Sequence, residues 1–292
     1  MSLIQAIIMG LIQGLTEFLP VSSSGHLALF RIAFGIDTEV GSVYTVLLHL
    51  GTLIAIYAVY FRDINKLILE AIKMFIEFLT NIFTFFANLI KGSDTPYNRV
   101  VRTQYRKFVM LVIVSTIPTG IIGIVGKDMV EKAEGVLLIP GICLIITSIL
   151  LLISDFIPDG EKKPGNVTYS NAFMIGIAQG IATMPGISRS GTTIAACVMS
   201  GFERSFAVKY SFIMSVPAVL GAALLKLKDL GEVAESSNTD MHILLIGTVV
   251  SAVVGYIAIK AMLYIVKKKK FIFFSLYCFV VGVASIYCYF TM

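Results

Sequence analysis

Long apolar stretches alternate with short charged connections along most of the chain. Six of these stretches are long enough to cross a hydrocarbon core of about 30 Å as helices. They lie at 42–61, 106–126, 136–154, 206–226, 241–264 and 270–290. Charged residues gather in the connections, at 127–135, 155–169, 227–240 and 267–270. The pattern predicts an all-α polytopic membrane protein with six transmembrane helices.

The apolar stretch at 63–91 differs from these six because charged side chains recur along it at helical spacing. Lys66, Glu70, Lys73 and Glu77 follow one another at intervals of four, three and four residues. That spacing places them in one polar stripe, while Phe, Ile and Leu fill the other faces. Such a helix lies in the plane of the membrane interface more readily than it crosses the membrane. We therefore expect one interfacial amphipathic helix here.

Two further apolar segments, 6–30 and 172–196, are each interrupted by a centre rich in Pro, Gly and Ser. They read AIIMGLIQGLTEFLPVSSSGHLALF and AFMIGIAQGIATMPGISRSGTTIAA. Irregular backbone is tolerated at membrane depth only where protein buries it or where it lines a cavity. Both segments are therefore predicted to be re-entrant helical hairpins.

The two broken segments are also copies of each other. A shift of 166 positions, without a gap, places matching Gly, Gln and Ser residues on one another. The matched pairs are Gly10 and Gly176, Gln13 and Gln179, Gly14 and Gly180, Ser22 and Ser188, Ser24 and Ser190, and Gly25 and Gly191. The chain is therefore interpreted as a single membrane domain of two repeats, at about 1–155 and 170–292. Three predicted spans separate the copies, so the second repeat would be inverted, as in many transporters.

Composition supports a membrane location. Hydrophobic residues make up 57% of the chain and charged residues 14%, against roughly 25% charged in a soluble domain. The mean hydropathy is +0.89, which excludes extended disorder and a secreted disulfide scaffold. The four cysteines lie in apolar stretches without C-x-x-C spacing and are expected to be small apolar fillers.

The net charge of +5 is interpreted as a topology signal, and no nucleic-acid partner is expected. Sixteen Lys and Arg residues fall on one side of the predicted topology, within 62–107, 155–170, 202–210 and 267–270. Five fall on the other side: Arg31, Lys127, Lys132, Lys226 and Lys228. Cytoplasmic loops carry the excess of Lys and Arg. The first hairpin would then enter from the outer side, with the C-terminus Met292 also outside.

Three ionisable residues sit in the broken segments: Glu17 and His26 in the first, and Arg189 in the second. Ionisable groups at membrane depth are costly and by default functional. Hydroxyl residues surround them, namely Ser22, Ser23, Ser24, Ser188, Ser190, Thr192 and Thr193. Arg binds phosphate oxygens in pairs, helix N-termini bind anions, and a hydroxyl beside a histidine is a candidate nucleophile. Together these ionisable and hydroxyl residues indicate a site that binds a phosphate group and reacts with it.

A structural interpretation stays open for part of this set. The Ser, Gly and Pro residues could serve only to let helices turn and pack, with Arg189 neutralised by Glu17. His49, one turn into an apolar stretch, and His242, at the start of another, are expected to have packing or interface roles. Asp155 and Asp159 are expected to be solvated loop charges.

Two sequence motifs resemble the paired signatures of the undecaprenyl-diphosphate phosphatase (bacitracin-resistance) family. They are Gln13-Gly-Leu-Thr-Glu-Phe-Leu-Pro-Val-Ser-Ser-Ser-Gly-His26 and Pro185-Gly-Ile-Ser-Arg-Ser-Gly-Thr-Thr193. The resemblance extends over nearly the whole chain. It implies a bacterial plasma-membrane enzyme that removes one phosphate from the C55 lipid diphosphate of cell-wall synthesis, with a divalent metal and a bacitracin-resistance phenotype. The first motif of the family begins with Glu or Gln, and this chain has Gln13.

These considerations assign expected roles. Ser23 would be the nucleophile, or would hold a water, and His26 would be the general base and acid. Glu17 would bind Mg²⁺ or Ca²⁺ or orient His26, and Arg189 would bind phosphate. Supporting contacts to the polyprenyl diphosphate are expected from Gln13, Ser22, Ser24, Gly25, Ser188, Ser190 and Thr193. The active site is expected to open to the outer face.

Two other classes of function fit parts of the pattern. A transporter or flippase of the lipid carrier would also have inverted repeats with a midplane site. A non-catalytic lipid-binding scaffold would have the same apolar composition. Release of phosphate in detergent separates an enzyme from both.

Overall fold

The computed structural model describes residues 1–36, 38–134, 136–225, 241–268 and 270–291, with side chains at 38–43 and 134 left aside. The predicted connection 227–240, Lys226 and Met292 therefore lie outside the described residues. Within the described residues the chain is helical, apart from connections and one isolated bridge between Lys162 and Phe202.

Twelve α-helices are present in the described part of the chain. They are α1 Leu3–Phe18, α2 Ser23–Phe34, α3 Thr38–Val59, α4 Phe61–Lys91, α5 Gln104–Val125, α6 Lys127–Glu134, α7 Leu138–Phe156, α8 Tyr169–Ile181, α9 Arg189–Met199, α10 Arg204–Leu225, α11 Met241–Lys267 and α12 Ile272–Thr291. A short 3₁₀ helix, Pro164–Asn166, precedes α8.

Five of the helices in the described residues (α5, α7, α10, α11 and α12) are long and apolar enough to cross a membrane. A sixth span is counted if α3 is taken together with α4, to which it is joined at a bend of 93°. The expectation of an all-α, multi-pass membrane protein is confirmed, with five to six spans where six were predicted. Each predicted apolar stretch coincides with one of these helices to within a few residues.

Both broken segments form two short helices around a non-helical centre, α1 with α2 and α8 with α9. Local sequence explains where these helices begin. Ser2 caps α1 and Thr168 caps α8, each in a reciprocal capping box, which satisfies helix N–H groups that lack intrahelical partners. After the break, the Ser22 side chain caps α2 and the Ser188 side chain caps α9.

Glycines let helices pack closely at the centre of the molecule. A Cβ atom on Gly10 of α1 would lie 2.4 Å from the carbonyl oxygen of Gly247 in α11. A Cβ atom on Gly176 of α8 would lie 2.2 Å from the carbonyl oxygen of Ser115 in α5. Small residues at such crossings let backbones approach and drive helix association in lipid. As a result α1 is held by α11, and α8 by α5.

The polar stripe of α4 faces the chain's own return segment, 93–106. Arg106 binds Glu70 at 2.8 Å and Glu77 at 2.6 Å, and Asn81 exchanges hydrogen bonds with the backbone of Asn98. The other faces of α4 expose large apolar side chains, among them Phe83 at 73%. The charges predicted to face the interface are thus satisfied within the protein.

Candidate functional site

The two breaks, 19–22 and 182–188, pack against each other. Gly25 at the start of α2 approaches Gly186, such that a Cβ atom on Gly25 would lie 3.2 Å from the Gly186 Cα. Gly191 at the start of α9 approaches Pro20, with 3.1 Å between an added Cβ and the Pro20 Cβ. The N-terminal ends of α2 and α9 and the C-terminal end of α1 therefore border one small region.

Glu17 is the centre of this region. It is only 9% exposed, and its Oε2 accepts hydrogen bonds from Ser23 Oγ at 2.7 Å and Gln13 Nε2 at 2.9 Å. Its Oε1 is paired with the guanidinium of Arg189. A buried carboxylate is tolerated when it is paired and hydrogen-bonded. Glu17, Ser23 and Arg189 thus meet, although Glu17 and Arg189 are 172 positions apart in the sequence.

A cavity of about 280 Å³ opens beside this cluster. Its polar wall includes Glu17, Ser23, Ser24, Arg31, Thr45, His49, Thr119, Gln179, Thr183 and Arg189. Its apolar wall consists of Val46, Ala182, Ile187, Ala218, Val219, Ala222 and Ala223. Two guanidinium groups and several hydroxyls thus face the same space as small apolar side chains. Such a cavity can accept a molecule with an anionic end and an apolar end.

Both ring nitrogens of His26 are engaged by groups other than the Ser23 hydroxyl. Its Nδ1 lies 2.8 Å from the carbonyl oxygen of Ser22, and its Nε2 lies 2.8 Å from the hydroxyl of Tyr277. The two rings are also stacked, with 5.6 Å between centroids. The proton of Ser23 is directed to Glu17 in this arrangement. A general-base role for His26 would require its ring to leave both of these partners.

His49 lies close to Glu17, although the sequence analysis did not assign it to the site. Its Nε2 lies 3.6 Å from Glu17 Oε2, and its Nδ1 donates to the carbonyl oxygen of Thr45, one turn earlier in α3. Thr45 lines the same cavity. The sequence signal that could have pointed to His49 is its spacing from Thr45, because these two polar residues lie four positions apart within an apolar stretch.

The remaining predicted binding residues divide into helix caps and cavity residues. Ser22 and Ser188 accept hydrogen bonds from Gly25 N–H and Gly191 N–H, so their hydroxyls serve the helix ends. Ser24 lines the cavity. Ser190 and Thr193 turn toward protein: Ser190 Oγ donates to Leu19 O at 3.4 Å, and Thr193 Oγ1 lies 2.5 Å from Ser211 Oγ.

The two aspartates expected to be solvated loop charges also make specific contacts, although the Asp159 side chain is 61% exposed. Asp159 binds Arg204 at 2.6 Å. Asp155 accepts a hydrogen bond at 2.7 Å from the backbone N–H of Ile272, the first residue of α12. Both therefore stabilise helix ends.

The site offers one carboxylate, that of Glu17, as a ligand for a divalent cation. Among the described residues there is no group of three or more His, Cys, Asp or Glu side chains that could hold a metal ion, and both oxygens of Glu17 are engaged. The Oε1 atoms of Gln13 and Gln179 are buried without a hydrogen-bond partner, and amide oxygens are acceptable ligands for hard cations. The residues fit a cation held mainly by a bound phosphate, and do not form a cage of protein ligands.

Comparison with known proteins gives one consistent result. The model of the family described as bacitracin resistance protein BacA matches residues 6–284. Curated proteins called undecaprenyl-diphosphatase are similar over nearly their full length. Those of Alkaliphilus metalliredigens and Desulforapulum autotrophicum are both 39% identical, with coverage of 97% and 98% of each chain. That of Methanosphaera stadtmanae is 37% identical over 286 residues, 98% of each chain.

Proposed function

The chain belongs to the bacitracin resistance protein BacA family, and from that premise we propose that it is a membrane undecaprenyl-diphosphatase. It hydrolyses undecaprenyl diphosphate to undecaprenyl phosphate and inorganic phosphate. The observation that carries this proposal is the meeting of Ser23, Glu17 and Arg189 at the wall of a cavity lined by both polar and small apolar side chains.

Ser23 is the proposed nucleophile. Its hydroxyl already donates to Glu17 Oε2, and an adjacent base is the usual means of activating a serine. As the Oγ–phosphorus bond forms at the terminal phosphate, the proton passes to Glu17. The anhydride bond breaks, and undecaprenyl phosphate leaves with the bridging oxygen. Glu17 then loses this proton to solvent. Water attacks the phosphorus of the phosphoserine, and Glu17 takes a proton from the water and passes it to Ser23 Oγ as the Oγ–phosphorus bond breaks and inorganic phosphate leaves.

Arg189 binds the terminal phosphate in this mechanism. Its bond to Glu17 uses Nη2, and a guanidinium has five N–H donors in a planar fork that matches phosphate oxygens. Arg31 lines the same cavity and adds positive charge. Ser24 supplies a further hydroxyl at the cavity wall, and the small apolar side chains, such as Ala218 and Ala222, accommodate the first part of the prenyl chain.

A divalent cation, Mg²⁺ or Ca²⁺, accompanies the diphosphate in the proposal. Mg²⁺ is commonly bound by one or two carboxylates together with substrate phosphates. Glu17 is the carboxylate of this site, and it would have to exchange one of its present partners for the cation. When bound, the cation would neutralise phosphate charge. The Oε1 atom of Gln13, beside Glu17, is buried without a hydrogen-bond partner and would supply a second protein oxygen to the cation.

The architecture proposed for this site is an inverted repeat with two re-entrant hairpins. Equivalent contacts support it. The approach of Gly10 to Gly247 corresponds to that of Gly176 to Ser115. At the breaks, the Gly25–Gly186 approach corresponds to Gly191–Pro20, which is the same contact with the two halves exchanged. The α1–α2 and α8–α9 pairs are then the re-entrant hairpins, each too short to cross the membrane with either arm alone.

The cavity is proposed to open to the outer face of the plasma membrane. By the Lys and Arg bias, α3 runs from the outer to the cytoplasmic side, and α10 runs the other way. The cavity is lined by the first half of α3, at Thr45 and His49, and by the last part of α10, at Ala222 and Ala223. Both parts lie toward the outer side. The 93° bend after α3 favours α4 as an interfacial helix on the cytoplasmic side.

In the cell this activity regenerates the lipid carrier of cell-wall synthesis. Undecaprenyl phosphate is the form that can be loaded again, so the enzyme supports peptidoglycan synthesis. Removal of the diphosphate also withdraws the lipid that bacitracin sequesters, which fits the resistance described for the family.

Release of inorganic phosphate from undecaprenyl diphosphate by the purified chain in detergent is the direct test. Turnover that Ser23→Ala abolishes supports the proposal. A lipid transporter or flippase, the rival function, would release no phosphate in detergent, and a binding scaffold would retain all its properties in Ser23→Ala. Absence of phosphate release from a folded wild-type protein would overturn the proposed function.

A further inference from the structure

A chain of two hydrogen bonds connects the last helix to the residue before the proposed nucleophile. The carbonyl oxygen of Ser22 can only accept, so the 2.8 Å contact with His26 requires the hydrogen on Nδ1. In a neutral ring Nε2 then has a free lone pair, and the Tyr277 hydroxyl donates to it at 2.8 Å. Tyr277 is thereby bonded, through the His26 ring, to the backbone of Ser22.

The backbone at Ser22 is held in an unusual conformation. Its φ angle is +70°, and it is the one non-glycine residue with a positive φ among the residues that the structure describes. Such conformations are costly for residues with a Cβ atom and persist only when their surroundings enforce them. The next residue is Ser23, whose hydroxyl direction depends on this peptide unit. The bond from His26 to the Ser22 carbonyl is therefore placed to fix the direction of the nucleophile.

The helix that carries Tyr277, α12, also contacts Pro20, on the other side of Val21 in the break 19–22. Cys278, next to Tyr277 in α12, is fully buried, and its Sγ lies 3.6 Å from the carbonyl oxygen of Pro20. The Tyr277 ring is parallel to the His26 ring within 8°, so the imidazole is restrained both in its plane and at both nitrogens. Contacts from α12 thus reach the break on both sides of Val21.

We propose that Tyr277 is a positioning residue for the hydrolysis: acting through His26, it holds the Ser22–Ser23 turn so that the Ser23 hydroxyl faces Glu17. Within the described residues Tyr277 makes no hydrogen bond to Ser23 or Glu17, and its hydroxyl bonds to His26. The inference rests on the proposed function, since it assigns Tyr277 a role in that reaction.

The test compares Tyr277→Phe with Tyr287→Phe, which lies on the same helix and is 68% exposed. Both changes remove one hydroxyl and keep the ring. We expect Tyr277→Phe to lower kcat by about 3- to 10-fold, the effect of one hydrogen bond, with KM within twofold and thermal stability near that of Tyr287→Phe. The turn would be less well ordered, whereas the cavity that binds substrate would be unchanged.

A double-mutant cycle with His26→Gln tests whether Tyr277 acts on the Ser22–Ser23 turn through His26. The Gln side chain can still donate to the Ser22 carbonyl but has no ring to receive Tyr277. If Tyr277 acts through His26, adding Tyr277→Phe to His26→Gln lowers kcat by less than twofold. A full, independent loss in the double variant would show that His26 is not the intermediary and would overturn the proposal.

The remaining outcomes separate this inference from the function on which it rests. No phosphate release by the wild-type protein means that the proposed function is wrong. Wild-type turnover that Ser23→Ala abolishes but Tyr277→Phe leaves unchanged means that the function stands and Tyr277 has no positioning role. Lower thermal stability of Tyr277→Phe with unchanged kcat would reduce Tyr277 to a structural contact and overturn the inference as well.

Discussion

Ser23, the first residue of α2, donates its hydroxyl hydrogen to Glu17, the next-to-last residue of α1, across 2.7 Å. The bond bridges the break between the two helices and makes Glu17 the nearest proton acceptor for the proposed nucleophile. We expect Glu17→Gln, which keeps the shape and removes the base, to lower kcat by about 10² to 10⁴. Phosphate release and thermal stability should be measured together. A folded Glu17→Gln protein with near-normal turnover would return the role of base to His26.

Arg189 should contribute to both stability and activity. Arg189→Ala leaves the Glu17 carboxylate buried without its counter-ion, a change that typically costs roughly 3–5 kcal/mol of unfolding free energy. We expect the double variant Arg189→Ala with Glu17→Gln to recover stability, because no buried charge remains, but not phosphate release. Arg189→Lys should keep the charge and lose most of the activity, since an ammonium group cannot bind two phosphate oxygens at once. Normal turnover in stable Arg189→Lys would contradict its role in binding phosphate.

Close packing of α8 on α5 predicts a sharp difference between two glycines. Gly176→Ala would place a Cβ atom 2.2 Å from the Ser115 carbonyl oxygen, and overpacking of this kind typically costs about 1–3 kcal/mol. Gly123→Ala, in α5, has no atom within 4 Å of the new Cβ and should be neutral or stabilising by about 0.5–1 kcal/mol. Thermal unfolding in detergent compares the two. Equal stability of both variants would mean that α8 and α5 are less closely packed than described.

The contacts between α4 and Arg106 predict a dependence of stability on pH. The hydrogen bonds of Arg106 lower the pKa values of Glu70 and Glu77 below 4.5, the ordinary value of each. A lowered folded-state pKa contributes stability that is complete above the ordinary value and is lost as the pH falls through the folded-state value. Thermal stability should therefore decline below about pH 4.5. The variant with both Glu70→Gln and Glu77→Gln should be less stable at neutral pH and show a weaker decline, and an equally steep decline would exclude these pairs as its cause.

Topology can be tested by cysteine labelling on a background in which the four native cysteines are replaced. The Lys and Arg bias predicts that Lys132, in α6, faces outside and that Lys163, before α8, faces the cytoplasm. A membrane-impermeant thiol reagent should mark Lys132→Cys on intact cells, and Lys163→Cys only after permeabilisation. The reverse pattern would place the cavity on the cytoplasmic face.

Much of this arrangement could be predicted from the sequence because its signals are local or repeated. Pro20, the Ser22–Gly25 run and their counterparts at 186–191 mark helix breaks on their own. The 166-residue shift aligns Ser23 with Arg189, and the broken helices of inverted repeats typically meet near the membrane midplane. The structure has Arg189 paired with Glu17 beside Ser23.

What could not be predicted depends on packing between distant parts of the chain. The direction of His26 is set by Tyr277, 251 positions later, and nothing near either residue signals this contact. His49 and Thr45 lie in an apolar stretch, and only the packing of α3 beside the first break brings His49 within 3.6 Å of Glu17. Patterns along a helix define its faces, but they do not define which neighbour each face meets.

The ion pair between Glu17 and Arg189 also has a consequence for biosynthesis. Arg189 is made 172 residues after Glu17, which at about 5–20 residues per second is a delay of roughly 10–30 seconds. During that time the growing chain contains the carboxylate without its counter-ion, so the first hairpin cannot settle at membrane depth with a charged Glu17 at low cost. We expect the insertion machinery to hold this hairpin in a hydrated position, or with Glu17 protonated, until the second half of the chain arrives. Nascent chains stalled before residue 189 should accordingly expose the first hairpin to protease, and chains stalled well beyond it should protect it.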